Sequence, residues 1–443
     1  MGKPELTFPH QLPSGRVRTD VPLLSQDQLR ELHDADAKVA KQFASIAPAT
    51  ALIVSDCKQA NGIRIGILDA PHGTGKSTWL PYCLMNSLSE QGRILVAVAS
   101  SRTIDRDADF LLRQLLRVND RDVSTTLGRG GIIGFRKSRK FEYDNSNRLV
   151  YTTHGVLSDM LVHNKADGYQ VIIVDDASEM SENLEVACAV LKHRHPSGQL
   201  PKLLITGANV AELYAGYFGR EHVFIPDEHV GAPSFDIDVF APETHDFAPC
   251  DDVTQLPSAV EEIVSSIRDD SSSISPKHAK GDVVVFLPNV DTVEKTVGRL
   301  KSQISKSLQV YRHHANIGES DNSALLESEQ RAAAAFESGS PTGPQRIVIS
   351  DGSEPTRRFS NVRVVIDSGM VSTPHWDPMV VKRQRSLNWN SDSGCMRRLS
   401  QVGCVQDGAY FQLFPSDAIV ATHGRAKYPL AKTYLRLLCA GIA

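Results

Sequence analysis

The chain has 443 residues, too many for one hydrophobic core and suited to two domains of about 200 residues each. A formal net charge of −4 excludes a globally basic nucleic-acid binder, so any such binding falls to a local groove. The seven cysteines (Cys57, Cys83, Cys188, Cys250, Cys395, Cys404 and Cys439) are scattered and lack a C-x-x-C pair; with no signal peptide and no apolar run near ~18 residues, this fits a soluble, cytoplasmic chain with reduced thiols, no membrane anchor and no structural zinc.

Residues 1–48 form an N-terminal extension with a Pro-rich start and a polar helix over 26–46, expected to pack on the first half of the chain. Short Val- and Ile-rich runs then recur at 63–68, 94–99, 149–151, 171–174 and 203–206, separated by helical patterns. Runs of this kind are strands buried on both faces of a parallel sheet. The first leads into Ile65-Gly-Ile-Leu-Asp-Ala-Pro-His-Gly-Thr-Gly-Lys-Ser-Thr-Trp-Leu-Pro81, a strand, a phosphate-binding loop and a helix expected to start near Lys76. In such a loop Gly73 and Gly75 free backbone N–H groups to surround phosphates. Lys76 reaches the outer phosphate oxygens and the Ser77 hydroxyl holds Mg²⁺. His72, Thr74 and Thr78 complete the candidate ATP site, although Ala70 stands where the strict pattern has its first glycine.

The strand at 171–174 ends in Asp175-Asp176-Ala-Ser178, about 100 residues after the loop. Paired acids in that place hold Mg²⁺ through Asp175 and orient an attacking water through Asp176; a solvated strand end is the plain alternative. A second strand series comes at 283–287, 309–311, 347–349, 364–367 and 409–413, beyond a Pro-, Asp- and Ser-rich stretch whose linker is placed around 236–245. The expected organisation is therefore two tandem P-loop-type α/β domains at 49–237 and 238–420, then a C-terminal helical fragment at 421–443. Arg136, Lys137, Arg139 and Lys140 with Phe135 and Phe141 form a basic and aromatic cluster that suits an RNA groove or a solvated loop. Lys382, Arg383 and Arg385 between Trp376 and Trp389 suit base stacking, against plain core packing of Trp376. His193-Arg194-His195 and His313-His314 lack ligand partners at metal-binding spacing.

In their order these segments resemble the DEAH-box group of superfamily 2 RNA helicases, and more loosely the flavivirus-type helicases, from about residue 50 onward. Gly75-Lys-Ser-Thr-Trp-Leu-Pro81 is similar to the family's G-K-T-T-Q-I-P, and Ser100-Ser101-Arg102 stands at its P-T-R position. Ile133-Gly-Phe-Arg136 with Tyr151-Thr-Thr-His-Gly-Val-Leu157 resembles its next pair of RNA-facing motifs, and Thr206-Gly207-Ala208 occupies the S-A-T place. In the second half Gly281-Asp-Val-Val-Val-Phe-Leu287, Ile349-Ser-Asp-Gly-Ser-Glu354 and Val364-Val-Ile-Asp-Ser-Gly369 continue the pattern. The resemblance implies two RecA-like domains, ATP and Mg²⁺ between the halves, and single-stranded RNA bound by Arg102, Thr153, Gly155, Ser350 and Asp351. It also implies nucleotide contacts from Glu354 and Gln401.

The departures fall on catalytic parts. Where the family has Asp-Glu-x-His, Asp176 is one methylene short, and misplacing a catalytic group by about 1 Å can cost about 100-fold. Its Q-R-x-G-R-x-G-R corresponds to Arg397 through Cys404, so both arginines that would face the γ-phosphate are Gln401 and Cys404. An arginine finger is worth about 10³ to 10⁵ in kcat. Arg397, Arg398, Arg357 and Arg358 are possible substitutes, against their reading as a solvated basic rim or RNA-phosphate contacts. The family also continues into further modules, of which Tyr428–Leu438 resembles only the opening, so a protein partner supplying the rest is expected. A viral origin would suit the divergence. The leading expectation is an ATP-dependent RNA helicase or RNA-stimulated NTPase with impaired hydrolysis. Its rival is a non-catalytic pseudo-helicase acting as a nucleotide-gated RNA-binding or assembly module. A P-loop kinase leaves the second half unexplained.

Overall fold

The computed structural model describes residues 46–59, 64–71, 74–89, 92–111, 127–137, 141–178, 181–194, 201–218, 223–224, 236–242, 249–268, 281–303, 309–314, 316–337, 346–352, 359, 361–377, 382–403, 406–415, 418 and 430–442. The chain opens with α1 (Ala47–Lys58), β1 (Ile65–Asp69), α2 (Trp79–Ser87), β2 (Ile94–Val98), α3 (Ser101–Phe110), β3 (Ile133–Arg136) and β4 (Phe141–Glu142). It continues through β5 (Leu149–Thr153), α4 (His154–Val162), β6 (Val171–Val174), α5 (Glu182–Arg194), β7 (Lys202–Gly207), α6 (Ala211–Phe218) and β8 (Val223–Phe224). These strands form one sheet in the order β4-β3-β5-β2-β6-β7-β1-β8. All pairings in it are parallel except β3 with β4.

Alternation along each strand feeds two cores. Ile94, Val96 and Val98 face Ile53, Leu80, Leu84 and Ile104 of α1, α2 and α3. Leu95 and Ala97 face Leu157, Leu161, Val186 and Val190 of α4 and α5. Side chains alternate across a strand, so a β-rich apolar run supplies both layers at once. This is why the strands were readable as short apolar runs.

The second half holds β9 (Ile237–Phe240), α7 (Leu256–Arg268), β10 (Asp282–Phe286), α8 (Val290–Gln303), β11 (Gln309–His313), α9 (Glu319–Glu337), β12 (Arg346–Ser350) and β13 (Val362–Asp367). It ends with β14 (Met370–Asp377), β15 (Lys382–Trp389), α10 (Asp392–Leu399), β16 (Gly408–Gln412) and α11 (Leu430–Cys439). Its sheet runs β11-β12-β10-β13-β16-β9, parallel throughout. Val283 and Val285 face Val260, Ile263, Val293 and Val297 on one side, and Val284 and Phe286 face Leu325 and Phe359 on the other. The two RecA-like α/β halves expected from the sequence are present.

Three features differ from the sequence reading. Strand β9 lies within the segment read as linker, yet its Ile237 to Phe240 pair with Gly408 to Phe411 of β16, so that stretch is part of the second sheet. The segment around Trp376 and Trp389 is an antiparallel hairpin, β14 with β15; Lys382 and Arg385 are exposed, and Trp389 packs at its base 6.4 Å from Phe414. The terminal α11 returns to the first half: Arg436 donates to Asn183 Oδ1, Ser158 Oγ and Asp159 Oδ1, each at 2.8 Å. The N-terminal extension before residue 46 lies outside the described residues. Among the described residues, no helix is long and apolar enough to cross a membrane.

Candidate functional site

In open α/β sheets, ligands bind beyond the carboxyl ends of the strands, and strand register decides which residues meet there. Leu68 and Asp69 of β1 pair with Thr206 and Gly207 of β7; Val174 of β6 pairs with Ile205 of β7 and with Ala97 of β2. The ends of β1 and β7 are thereby level, and β6 ends two residues earlier, so that Asp175 follows it beside Thr206. Asp175, the next residue on β6, donates its N–H to Ala97 O at 2.8 Å and accepts a hydrogen bond from Thr206 Oγ1. Ala70 leaves β1 with its N–H on Gly207 O at 2.9 Å. Gly207 leaves no room for a side chain, since a Cβ there would lie 2.5 Å from Val210 Cγ1.

The loop after β1 folds back on itself. Lys76 is buried, and its Nζ donates to Ala70 O at 2.8 Å and Pro71 O at 2.6 Å. Thr74 Oγ1 also donates to Pro71 O at 3.0 Å. Gly75 sits at φ +96, a left-handed conformation that a side chain disfavours. Helix α2 begins at Trp79, later than expected from sequence, because Thr78 N and Leu80 N both donate to Gly75 O and the regular ladder starts only at Tyr82 N to Thr78 O. Ser77 is half-buried and Thr78 buried. His72 and Gly73 lie outside the described residues.

Charge is concentrated at this corner. Burial holds the Asp175 carboxyl above the usual range, while Lys76 and the Thr206 hydrogen bond pull it down and Asp107 of α3 pushes it up. Asp69 is likewise raised by burial, against the N–H groups of Ala211 and Asn209 that it caps at 2.8 Å. A cation at Asp175 would offset its burial. Mg²⁺ takes oxygen ligands and is typically held by one or two carboxylates, waters and substrate phosphates. Ser77 and Asp175 supply that donor type. Among the described residues, no group of three His, Cys, Asp or Glu side chains is placed to hold an ion by itself; this includes His193 and the His313-His314 pair. Asp176 is buried at φ +54, a region where Asp and Asn are several-fold enriched over other non-glycine residues.

Of the candidate RNA-facing residues, Arg102, Thr153 and Gly155 lie at or just past the carboxyl ends of β2 and β5 in the first sheet. Arg102 is in the first turn of α3, and its side chain is outside the described set. Thr153 caps α4, its Oγ1 accepting from Val156 N at 3.4 Å. Gly155 backs onto Asn183, whose Nδ2 lies 3.2 Å from where a Cβ would be. In the basic cluster, Arg136 donates to Tyr143 OH at 3.3 Å, and Lys137 lies over the Phe135 ring at 5.0 Å. In the second half, Ser350 is buried with its hydroxyl on His313 Nδ1 at 3.0 Å and accepting from Gly352 N at 3.1 Å, and Asp351 N donates to His313 O at 3.2 Å.

The arginines of α10 are not a solvated rim. Arg397 and Arg398 are both buried, because the last turn of α10 points them inward. Arg398 Nη1 pairs with Asp367 Oδ1 at 2.5 Å and Nη2 donates to Met370 O at 3.1 Å, while Tyr410 OH donates to Asp367 Oδ2 at 2.7 Å. Gln401 is buried and accepts from Phe359 N at 3.4 Å. Glu354, Arg357, Arg358 and Cys404 lie outside the described residues. Sequence reasoning missed the Arg398–Asp367–Tyr410 cluster, whose members are 31 and 43 residues from Asp367 and carry no joint spacing signal. It also gave no role to Tyr151 or His154, although both stand inside a motif it singled out.

No protein-family model matches the chain. Its sequence is similar to "ATP-dependent RNA helicase TDRD9" of Danio rerio, at 24% identity over 381 residues, spanning 78% of this chain and 27% of that protein. To "Probable ATP-dependent RNA helicase spindle-E" of Anopheles gambiae it is 22% identical over 367 residues, spanning 78% of this chain and 24% of the relative. The chain thus spans about a quarter of the length of these relatives. Among solved structures, Escherichia coli DEAH/RHA helicase HrpB matches with a TM-score of 0.71 at 19% identity, covering 90% of this chain and 46% of that one. Likeness at this level establishes the fold, two tandem RecA-like α/β domains.

Proposed function

We propose that this chain, a DEAH-like superfamily 2 helicase core, works as an ATP-dependent RNA helicase or RNA-stimulated NTPase whose hydrolysis is impaired. The observation that carries this reading is the buried Lys76 of the loop after β1 acting on the Asp175 carboxyl at the end of β6, which Thr206 of β7 hydrogen-bonds. Lys76 would exchange the two loop carbonyls for phosphate oxygens, a charge-assisted contact roughly twice as strong as a neutral one. Ser77 and Asp175 would hold Mg²⁺, which supplies charge neutralisation when bound. Thr206 keeps Asp175 oriented. Asp176 is the candidate to position the attacking water. On the second half, Gln401 and Glu354 would complete the nucleotide site.

Single-stranded RNA would bind through backbone contacts near Arg102, Thr153 and Gly155, and near Ser350 and Asp351. Because the Ser350 hydroxyl is committed to His313 and Gly352, contact there falls to backbone groups. Such contacts carry no sequence information.

A second reading, the nucleotide-gated pseudo-helicase, is favoured by one observation: Arg398, buried, is tied to Asp367 and so is not a mobile cation for a transition state, while the neutral Gln401 carries no charge to supply. Steady-state phosphate release with and without single-stranded RNA, beside calorimetric ATP binding, separates the two. RNA-stimulated release supports the enzyme. Binding without release supports the gate, and absence of ATP binding rejects both.

A further inference from the structure

Strand β5 and the first residue of α4 carry four consecutive side chains with four different destinations. The fully buried Tyr151 donates its hydroxyl to Ser77 O at 2.8 Å. Thr152 Oγ1 donates to Arg136 O at 2.9 Å. Thr153 caps α4. His154, also buried, has its Nε2 2.7 Å from Asp175 O; a carbonyl only accepts, so the ring is the donor and carries its proton on Nε2. Tyr151, two residues before Thr153, and His154, between Thr153 and Gly155, therefore grip the backbones of Ser77 and Asp175, the two residues assigned to Mg²⁺. The far side of the same turn is braced, since Gly155 lies against Asn183, which Arg436 of α11 holds at 2.8 Å.

We infer that Tyr151 and His154 are positioning residues that couple RNA occupancy at Thr153 and Gly155 to nucleotide and Mg²⁺ binding at Ser77 and Asp175, an inference that rests on the function proposed above. Hydrogen bonds of 2.7 and 2.8 Å are near the optimum for their type and weaken when stretched past about 3.2 Å. A shift of the β5 end by ~0.5 Å is thus resisted at both grips or passed on through them. Close-packed interiors shift between discrete arrangements rather than deforming smoothly. RNA that favours one arrangement of the turn then favours one arrangement of the metal-holding backbones, and the effect is reciprocal.

The test measures binding of a fluorescent non-hydrolysable ATP analogue with Mg²⁺, with and without saturating oligouridylate RNA, in wild type, Tyr151→Phe, His154→Ala and His154→Gln. Phenylalanine keeps the ring volume and loses only the donor; the glutamine amide can donate to the same carbonyl. Wild type is expected to show a coupling of at least about fivefold, the lower end of typical values. Tyr151→Phe and His154→Ala are expected to bring the ratio to within about twofold of unity, and His154→Gln to keep most of it. A loss of stability by itself would lower the melting temperature without changing this ratio. A coupled wild type whose coupling survives both deletions overturns the inference and leaves the helicase reading standing. Glutamine behaving like alanine at 154 also overturns it, because ring packing rather than the hydrogen bond would then be responsible. A wild type that binds no RNA, or binds it without any effect on nucleotide, overturns the inference and the functional reading together.

Discussion

Arg398→Ala tests whether the one arginine retained from the family's motif is structural or catalytic. Its guanidinium is buried, pairs with Asp367, donates to Met370 O and lies 5.2 Å from the Phe286 ring centre. Removing one partner of a buried pair costs about 3–5 kcal/mol, because the other charge is left uncompensated. Asp367 would keep two donors, Tyr410 OH at 2.7 Å and Gly369 N at 2.8 Å, which places the cost near ~3 kcal/mol. At about 2–4 °C per kcal/mol for a domain of this size, the second half should melt about 6–12 °C lower. Calorimetry on wild type, Arg398→Ala and Arg398→Lys reads this directly. The lysine variant should recover only part of the loss, having the charge without the planar fork. ATP affinity should stay unchanged in both. An Arg398→Ala protein that melts with wild type and loses phosphate release would show that Arg398 reaches the nucleotide and that the reasoning is wrong.

Lys76→Ala should reduce ATP affinity by at least about tenfold by calorimetry, since the buried ammonium is the charge proposed to meet the phosphates. Gln401→Arg with Cys404→Arg should raise phosphate release at least about tenfold, given what one finger supplies elsewhere; a brisk wild type slowed by these changes would mean other groups have taken over. Adding Asp176→Glu should bring less than its chemistry promises, because φ +54 suits aspartate better than glutamate, and the variant's melting temperature should fall. Iodoacetamide at pH 8 should modify the exposed Cys439 well before Cys57 or Cys188, whose thiols burial pushes up to about 11 and about 12. The thiolate is the reactive form, and at pH 8 it is about one part in 10³ or less for such groups; labelling of Cys57 or Cys188 should therefore track unfolding in a mass-spectrometric time course.

The strands, the P-loop and the acidic strand end were legible because each is a local pattern: β-branched runs alternate between two helix layers, and Gly75 is required by a left-handed backbone. What the sequence hid are pairings across long separations. Nothing near Arg398 announces Asp367, and nothing near Tyr151 announces Ser77. The short strand β9 was hidden for a related reason: its four residues acquire strand structure only by pairing with β16, well over a hundred residues away. The departures from the family motifs were legible as letters but not in their consequence, since an unmatched residue can be exposed, idle or reused.

Here they are reused, and unequally between the halves. In the first half the proposed nucleotide site is a connected unit, with Lys76 on the loop carbonyls, Thr206 on Asp175, and Tyr151 and His154 on the backbones of Ser77 and Asp175. In the second half the corresponding side chains are turned to its own interior: Arg398 to Asp367, Gln401 to Phe359 and Ser350 to His313. Groups engaged in this way stabilise their own domain and lose the freedom to follow a developing charge, which is what transition-state stabilisation demands. On the function proposed above, nucleotide binding would be carried by the first half, and hydrolysis would be limited by the second. The arginine substitutions at 401 and 404 should accordingly raise phosphate release while leaving ATP affinity within about threefold of wild type, because they add a contact made chiefly in the transition state. A parallel rise in both quantities would place the defect in ground-state binding instead.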